Sequence, residues 1–138
     1  MKIESVFIKD IVESEVRMFE ESYKEEPSRN MEQLLEMYLK SETKIRIDHL
    51  DPRYMGMKGY ELLRRVKAEN LDIVFETLDE GDYRRDLSLY QSLITLITYV
   101  AIRTDVMSHC VYEDVGKEKL KNYVNNIGRE NLGLEILY

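Results

Sequence analysis

The apolar positions of the chain fall into several helical stripes and one broad apolar block. The block runs from Leu87 to Ile102, LSLYQSLITLITYVAI, and holds no charged residue although 34% of the chain is charged. Tyr90, Leu93, Ile94, Ile97, Val100 and Ala101 form one stripe, which Leu89, Leu96, Tyr99 and Ile102 widen nearly all the way round. A helix that is apolar on most sides needs neighbours on most sides, so this stretch predicts the central helix of a bundle, over about residues 84–110. Ser88, Ser92, Thr95 and Thr98 leave a small hydroxyl edge where another helix can approach. The block is shorter than the roughly 20 apolar residues of a membrane span and contains Gln91, so no membrane is expected.

Ile8, Ile11, Val12, Phe19 and Tyr23 predict a first amphipathic helix, interrupted by Glu15 and ended by Glu26-Pro27. Residues 2–8 fit the start of that helix or a short strand. Met31, Leu34, Leu35, Tyr38 and Leu39 are spaced i, i+3, i+4, i+7, i+8, which predicts a second helix ending near Ser41. Ser28 or Asn30 can cap it, with Gln33 placed to bond back to Asn30.

Residues 44–50, KIRIDHL, alternate and predict a short strand closed by Asp51-Pro52, with a loop through Gly56 and Gly59. Leu62, Leu63 and Val66 predict a helix ended by Asn70, and Leu71, Val74, Phe75 and Leu78 predict a further helical stripe. Asp82 is placed to cap the central helix. After it, Asp114 or Gly116 introduces a last helix with Leu120, Tyr123, Val124 and Ile127 inward and Gly128 as its left-handed terminator. Leu132, Leu134, Ile136 and Tyr138 alternate as a strand would. The expected fold is a single mainly α domain over 1–138, a compact helical bundle with room for one small β pairing.

Charge narrows the partners. The formal net charge is −7, and residues 10–26 hold seven acids against Arg17 and Lys24, a local −5. Such a chain is a poor general binder of phosphate backbones, because that affinity comes from Lys and Arg. An outward acidic face bearing Glu13, Glu20 and Glu21 is the expected docking surface for another protein with a basic surface. The single cysteine, Cys110, cannot form an internal bridge. The opening MKIESVFIKDIVESE breaks its apolar run with acids, unlike a secretory leader, so a reducing cytoplasm is the expected location.

Candidate chemistry is sparse. Asp48, His49 and Asp51 offer three potential ligands within four residues, but an Asp-Pro turn accounts for Asp51, and no metal or other cofactor is expected. Gly56-Met57-Lys58-Gly59 resembles the Gly-x-x-Gly loop of KH RNA-binding domains, where backbone and a basic residue hold phosphates. The elements after it read as helical where a KH domain returns to strands.

Arg103 and His109, in IRTDVMSHCVY, resemble the Arg-x(4–6)-His motif of HEPN ribonucleases, which are compact all-helical domains. That resemblance implies metal-independent RNA cleavage, with His109 in proton transfer and Arg103 stabilising charge on phosphate, in a site often shared by two protomers. Thr104 stands where that family prefers Asn, Asp or His. On an unbroken helix the two side chains would lie roughly 120° apart, so a shared site needs a break near Thr104-Asp105 or a homodimer. The expected function is therefore stoichiometric binding of another protein, of inhibitor, immunity or assembly type. The alternative is the HEPN-like endoribonuclease, under which alone nucleic acid is an expected partner.

Overall fold

A computed structural model describes residues 5–127. They form eight helices: α1 (Ser5–Glu25), α2 (Met31–Lys40), α3 (Glu42–Asp48), α4 (Pro52–Met55), α5 (Gly59–Glu69), α6 (Tyr83–Thr104), α7 (Ser108–Val115) and α8 (Lys117–Ile127). The architecture is an all-α bundle. The expectations for Gly128 and for a strand over 132–138 lie outside the described residues, as do residues 2–4 of the alternative at 2–8, whose residues 5–8 are helical within α1.

Helix α6 is the hub, packing against α1, α2, α3, α7 and α8. Leu93, Ile94, Ile97 and Ala101 are buried on it, as the apolar block requires. Its start is capped by Asp82, whose carboxylate accepts the Arg85 N–H at 3.1 Å. The helix is shorter than expected. It stops at Thr104, where Asp105 adopts the left-handed conformation with φ 56°, and α7 starts afresh at Ser108. Aspartate tolerates that conformation better than most residues, so the chain can turn there without glycine.

Helix α1 lies along both α5 and α6. The contact with α5 is close because Gly59 has no side chain: a Cβ there would fall 2.6 Å from the Arg17 Cβ and 2.7 Å from its carbonyl carbon. Gly59 therefore serves helix packing, while Gly56 has open space around it. Asn30 caps α2, accepting N–H groups from Glu32 at 3.0 Å and Gln33 at 3.2 Å.

Two expected elements are corrected. Residues 44–50 do not form a strand. They belong mostly to α3, where Ser41 Oγ accepts the Lys44 N–H at 3.0 Å and the Glu69 carboxylate accepts the Glu42 N–H at 2.7 Å. Those two caps satisfy the free donors at the start of a short helix, and they outweigh an alternation of only two isoleucines.

Residues 71–78 do not form a helix either. The segment 70–82 is a strap crossing from α5 to α6, extended at its middle and bonded to the start of α2. The Asn30 N–H donates to the Glu76 carbonyl at 2.8 Å, and the Leu78 N–H donates to the Ser28 carbonyl at 2.7 Å. The Gln33 side chain also bonds the strap, accepting the Glu76 N–H at 2.7 Å, rather than returning to Asn30. One smaller correction concerns α8: Leu120 and Val124 are buried, but Tyr123 is 46% exposed because it lies off the buried stripe.

Candidate functional site: a sealed polar seam and an open apolar strap

Glu15 interrupts the apolar stripe of α1 and is completely buried. Its partners arrive from three other helices. Lys44 of α3, also completely buried, places its ammonium 2.7 Å from Glu15 Oε2, 2.8 Å from Thr98 Oγ1 and 3.2 Å from Asp48 Oδ1. An ammonium has three donors, and these are three acceptors. The Thr98 hydroxyl in turn donates to Glu15 Oε1 at 2.6 Å, and the Tyr38 hydroxyl donates to Glu15 Oε2. Burial and the adjoining Glu15 carboxylate push the Tyr38 phenol well above its ordinary pKa, so it stays the neutral donor.

Asp48 extends the seam to α7. Its Oδ2 accepts the Ser108 N–H at 2.7 Å and its Oδ1 accepts the Ser108 hydroxyl at 2.8 Å. Met107, at the capping position of α7, supplies no side-chain cap, so Asp48 caps that helix from across the bundle. The seam thus joins α1, α2, α3, α6 and α7 through polar atoms that are used on one another. Removed from solvent in this way, it holds helices in place and offers nothing for a solute to reach.

Each residue singled out in the sequence has a definite place. Glu13 and Glu20 are exposed on α1, while Glu21 is half-buried and lies 3.7 Å from Lys24. Glu13 also borders a hollow of about 320 Å³ with Asp10, Arg17 and Lys58. The acidic face is therefore interleaved with cations and is less one-signed than the linear run.

Arg103 stacks over the Tyr99 ring at 5.4 Å. Tyr99 borders an apolar groove of about 500 Å³ shared by α6, α7 and α8, with Val111 and Val115 on its α7 wall. His109, half-buried on α7, lies about 160° round that helix from Val111, so it leaves by the other flank. The break at Asp105 is present, and neither Arg103 nor His109 lines the groove. Asp48 faces inward to Lys44 and Ser108, His49 is exposed, and Asp51 caps α4 by accepting the Arg53 N–H at 3.0 Å. Cys110 is half-buried and unpaired by disulfide.

Comparison with family models, with curated proteins and with solved structures finds no match. No helix among the described residues is long and apolar enough to cross a membrane.

The feature that linear reading missed is the strap. Leu71 and Val74 are each 85% exposed, and Ile73 is 43% exposed. Phe75 is half-buried, its ring under the Arg29 guanidinium at 4.5 Å. The strap carries Asp72, Glu76, Asp79, Glu80 and Asp82 and no basic residue. That run of acids without a base was the available signal, hidden by the helical spacing of its apolar residues.

Proposed function

We propose that this domain acts by stoichiometric, non-enzymatic binding of another protein, in the manner of an inhibitor, immunity protein or assembly factor. The observation that supports this reading is the state of the strap, which holds Leu71 and Val74 in solvent and leaves Ile73 partly exposed, beside a buried apolar core. The buried titratable groups Glu15, Lys44 and Asp48 are spent on joining helices. Exposed apolar side chains flanked by acids favour a partner with a basic, partly apolar surface. Glu13, Glu20 and Glu21 add to this a negative field that steers such a partner from a distance.

The test is paired. Affinity capture with the wild-type chain is compared with capture by the triple reversal Glu13→Lys, Glu20→Lys, Glu21→Lys, at low and high salt. Partner association slows in the reversed chain and loses most of its salt dependence. In parallel, single-stranded RNA is incubated with the protein in chelator and stays intact. Chelator-resistant cleavage that disappears in both Arg103→Ala and His109→Ala would overturn this reading in favour of the ribonuclease.

A further inference from the structure

Backbone direction in the strap defines an edge that no described residue fills. In an extended chain the N–H and C=O of one residue point to the same side, and successive residues alternate. The strap spends Val74, Glu76 and Leu78 on α2 and the residues that lead into it: Glu76 uses both N–H and C=O, Leu78 its N–H, and Val74 its C=O toward the Gln33 amide at 3.4 Å. The odd-numbered Phe75 and Thr77 therefore turn their N–H and C=O groups to the opposite side, where no described residue bonds them. An open edge of this kind is a template for another strand.

The side chains beside that edge say what kind of strand fits. Val74, 85% exposed, gives a cross-strand neighbour an apolar surface, and Leu71 extends it past the turn at Asn70–Ile73. Glu76 lies two residues beyond Val74, on the same face of the extended chain, and Asp72 lies in the turn just before it. With Asp79, Glu80 and Asp82 also present and no Lys or Arg, the strap itself carries acids alone, and the neighbouring Arg29 is paired with Glu25 at 3.1 Å. A second copy of the same strap would set acids against acids, which disfavours self-pairing.

We infer that the outer edge of residues 73–77 binds an extended segment of another protein by strand addition, and that this segment alternates basic with apolar side chains. The inference rests on the protein-binding reading above and names its surface and its partner's chemistry. Backbone pairing at Phe75 and Thr77 fixes the register, contact with Val74 supplies apolar burial, and cations opposite Asp72 and Glu76 select the partner.

The probe is a fluorescent ten-residue peptide alternating lysine and valine, read by anisotropy against the full chain. Three companions are an alternating glutamate–valine peptide, the lysine peptide N-methylated at every second residue in each of its two registers, and the chain carrying Leu71→Ser and Val74→Ser. The lysine peptide binds, its affinity falling about tenfold between low and moderate salt. The glutamate peptide does not bind. N-methylation of the edge facing the strap abolishes binding without changing charge, and the double-serine chain binds at least about tenfold more weakly at an unchanged melting temperature.

Equal binding of the plain and both N-methylated registers would overturn the proposal, because attraction would then be charge alone. Absence of binding by the lysine peptide, or a concentration-dependent dimer that the double-serine substitution dissolves, would overturn it too. None of these outcomes involves RNA cleavage, so failure here is distinguishable from failure of the protein-binding reading itself.

Discussion

The seam and the strap invert the usual distribution of residues in opposite ways. At the seam, Glu15, Lys44 and Asp48 lie where apolar side chains are the rule; in the strap, Leu71 and Val74 lie where polar ones are. The difference lies in how each is compensated. Every charged atom of the seam finds partners within hydrogen-bonding reach, so desolvation is offset inside the fold. Leu71 and Val74, each 85% exposed, receive no such compensation from the described residues. Buried charge here belongs to folding, and the exposed apolar surface is what the proposed association would use.

The sharpest way to break this contrast is to take one partner from the seam. Lys44→Met leaves two buried carboxylates facing each other without their cation, and it should cost about 3–5 kcal/mol in urea unfolding. Adding Glu15→Gln to Lys44→Met should restore part of that loss, because it removes one of the two stranded charges. A cost below about 1 kcal/mol for Lys44→Met would mean that water reaches the seam, and the contrast would collapse.

Packing around the seam gives a smaller effect. Gly59→Ala forces α5 away from α1, because its methyl group would meet Arg17 at 2.6 Å. Overpacking of that kind should cost about 1–3 kcal/mol and shift the thermal midpoint downward. An unchanged midpoint would show that α1 and α5 slide apart freely, and that Gly59 is retained for some property of the loop instead.

Alkaline titration sharpens the same contrast through Tyr38. Its phenol is raised by burial first and by Glu15 second, so it is neutral in the fold where an unfolded tyrosine ionises. The unfolded chain therefore releases a proton near pH 10 that the folded chain keeps. Stability from this group is complete below that pH and is lost as pH rises through the folded value. Of ten tyrosines, Tyr38 should be among the last to show phenolate absorbance, appearing only with unfolding. Early ionisation of every tyrosine in a still-helical protein would contradict the seal.

How much of this was legible depends on how local the cause is. Helices α2 and α6 are set by stripes and caps a few residues apart, and Leu34, Tyr38, Leu93 and Ile97 are all in the core those stripes indicate. Glu15 was visible as a flaw in a stripe, and a charge within a stripe calls for a buried countercharge. Its partners are 23, 29 and 83 residues away, so no spacing rule finds Tyr38, Lys44 or Thr98. The strap was misread because Leu71, Val74, Phe75 and Leu78 have helical spacing. What decides against a helix is non-local, since Ser28, Asn30 and Gln33 take up the strap's backbone groups. The acidic face on α1 was read from composition, and Arg17, Lys24 and Lys58 dilute it in space.

The smallest expected effect is the most discriminating. Leu71→Ser and Val74→Ser, together, should change stability by no more than about 0.5 kcal/mol, because both side chains are already in water and give up no contact on truncation. The backbone bonds that hold the strap, from Asn30 and to Ser28, do not involve either side chain. Replacing apolar surface that water already covers also removes a site of nonspecific association, so solubility should rise while the urea midpoint stays in place. The same two substitutions at core positions, Leu93→Ser and Ile97→Ser, would cost several kcal/mol, which sets the scale of the comparison. A loss above about 2 kcal/mol for the strap pair would show that Leu71 and Val74 are covered in solution, and the strap would then belong to the core and not to a partner.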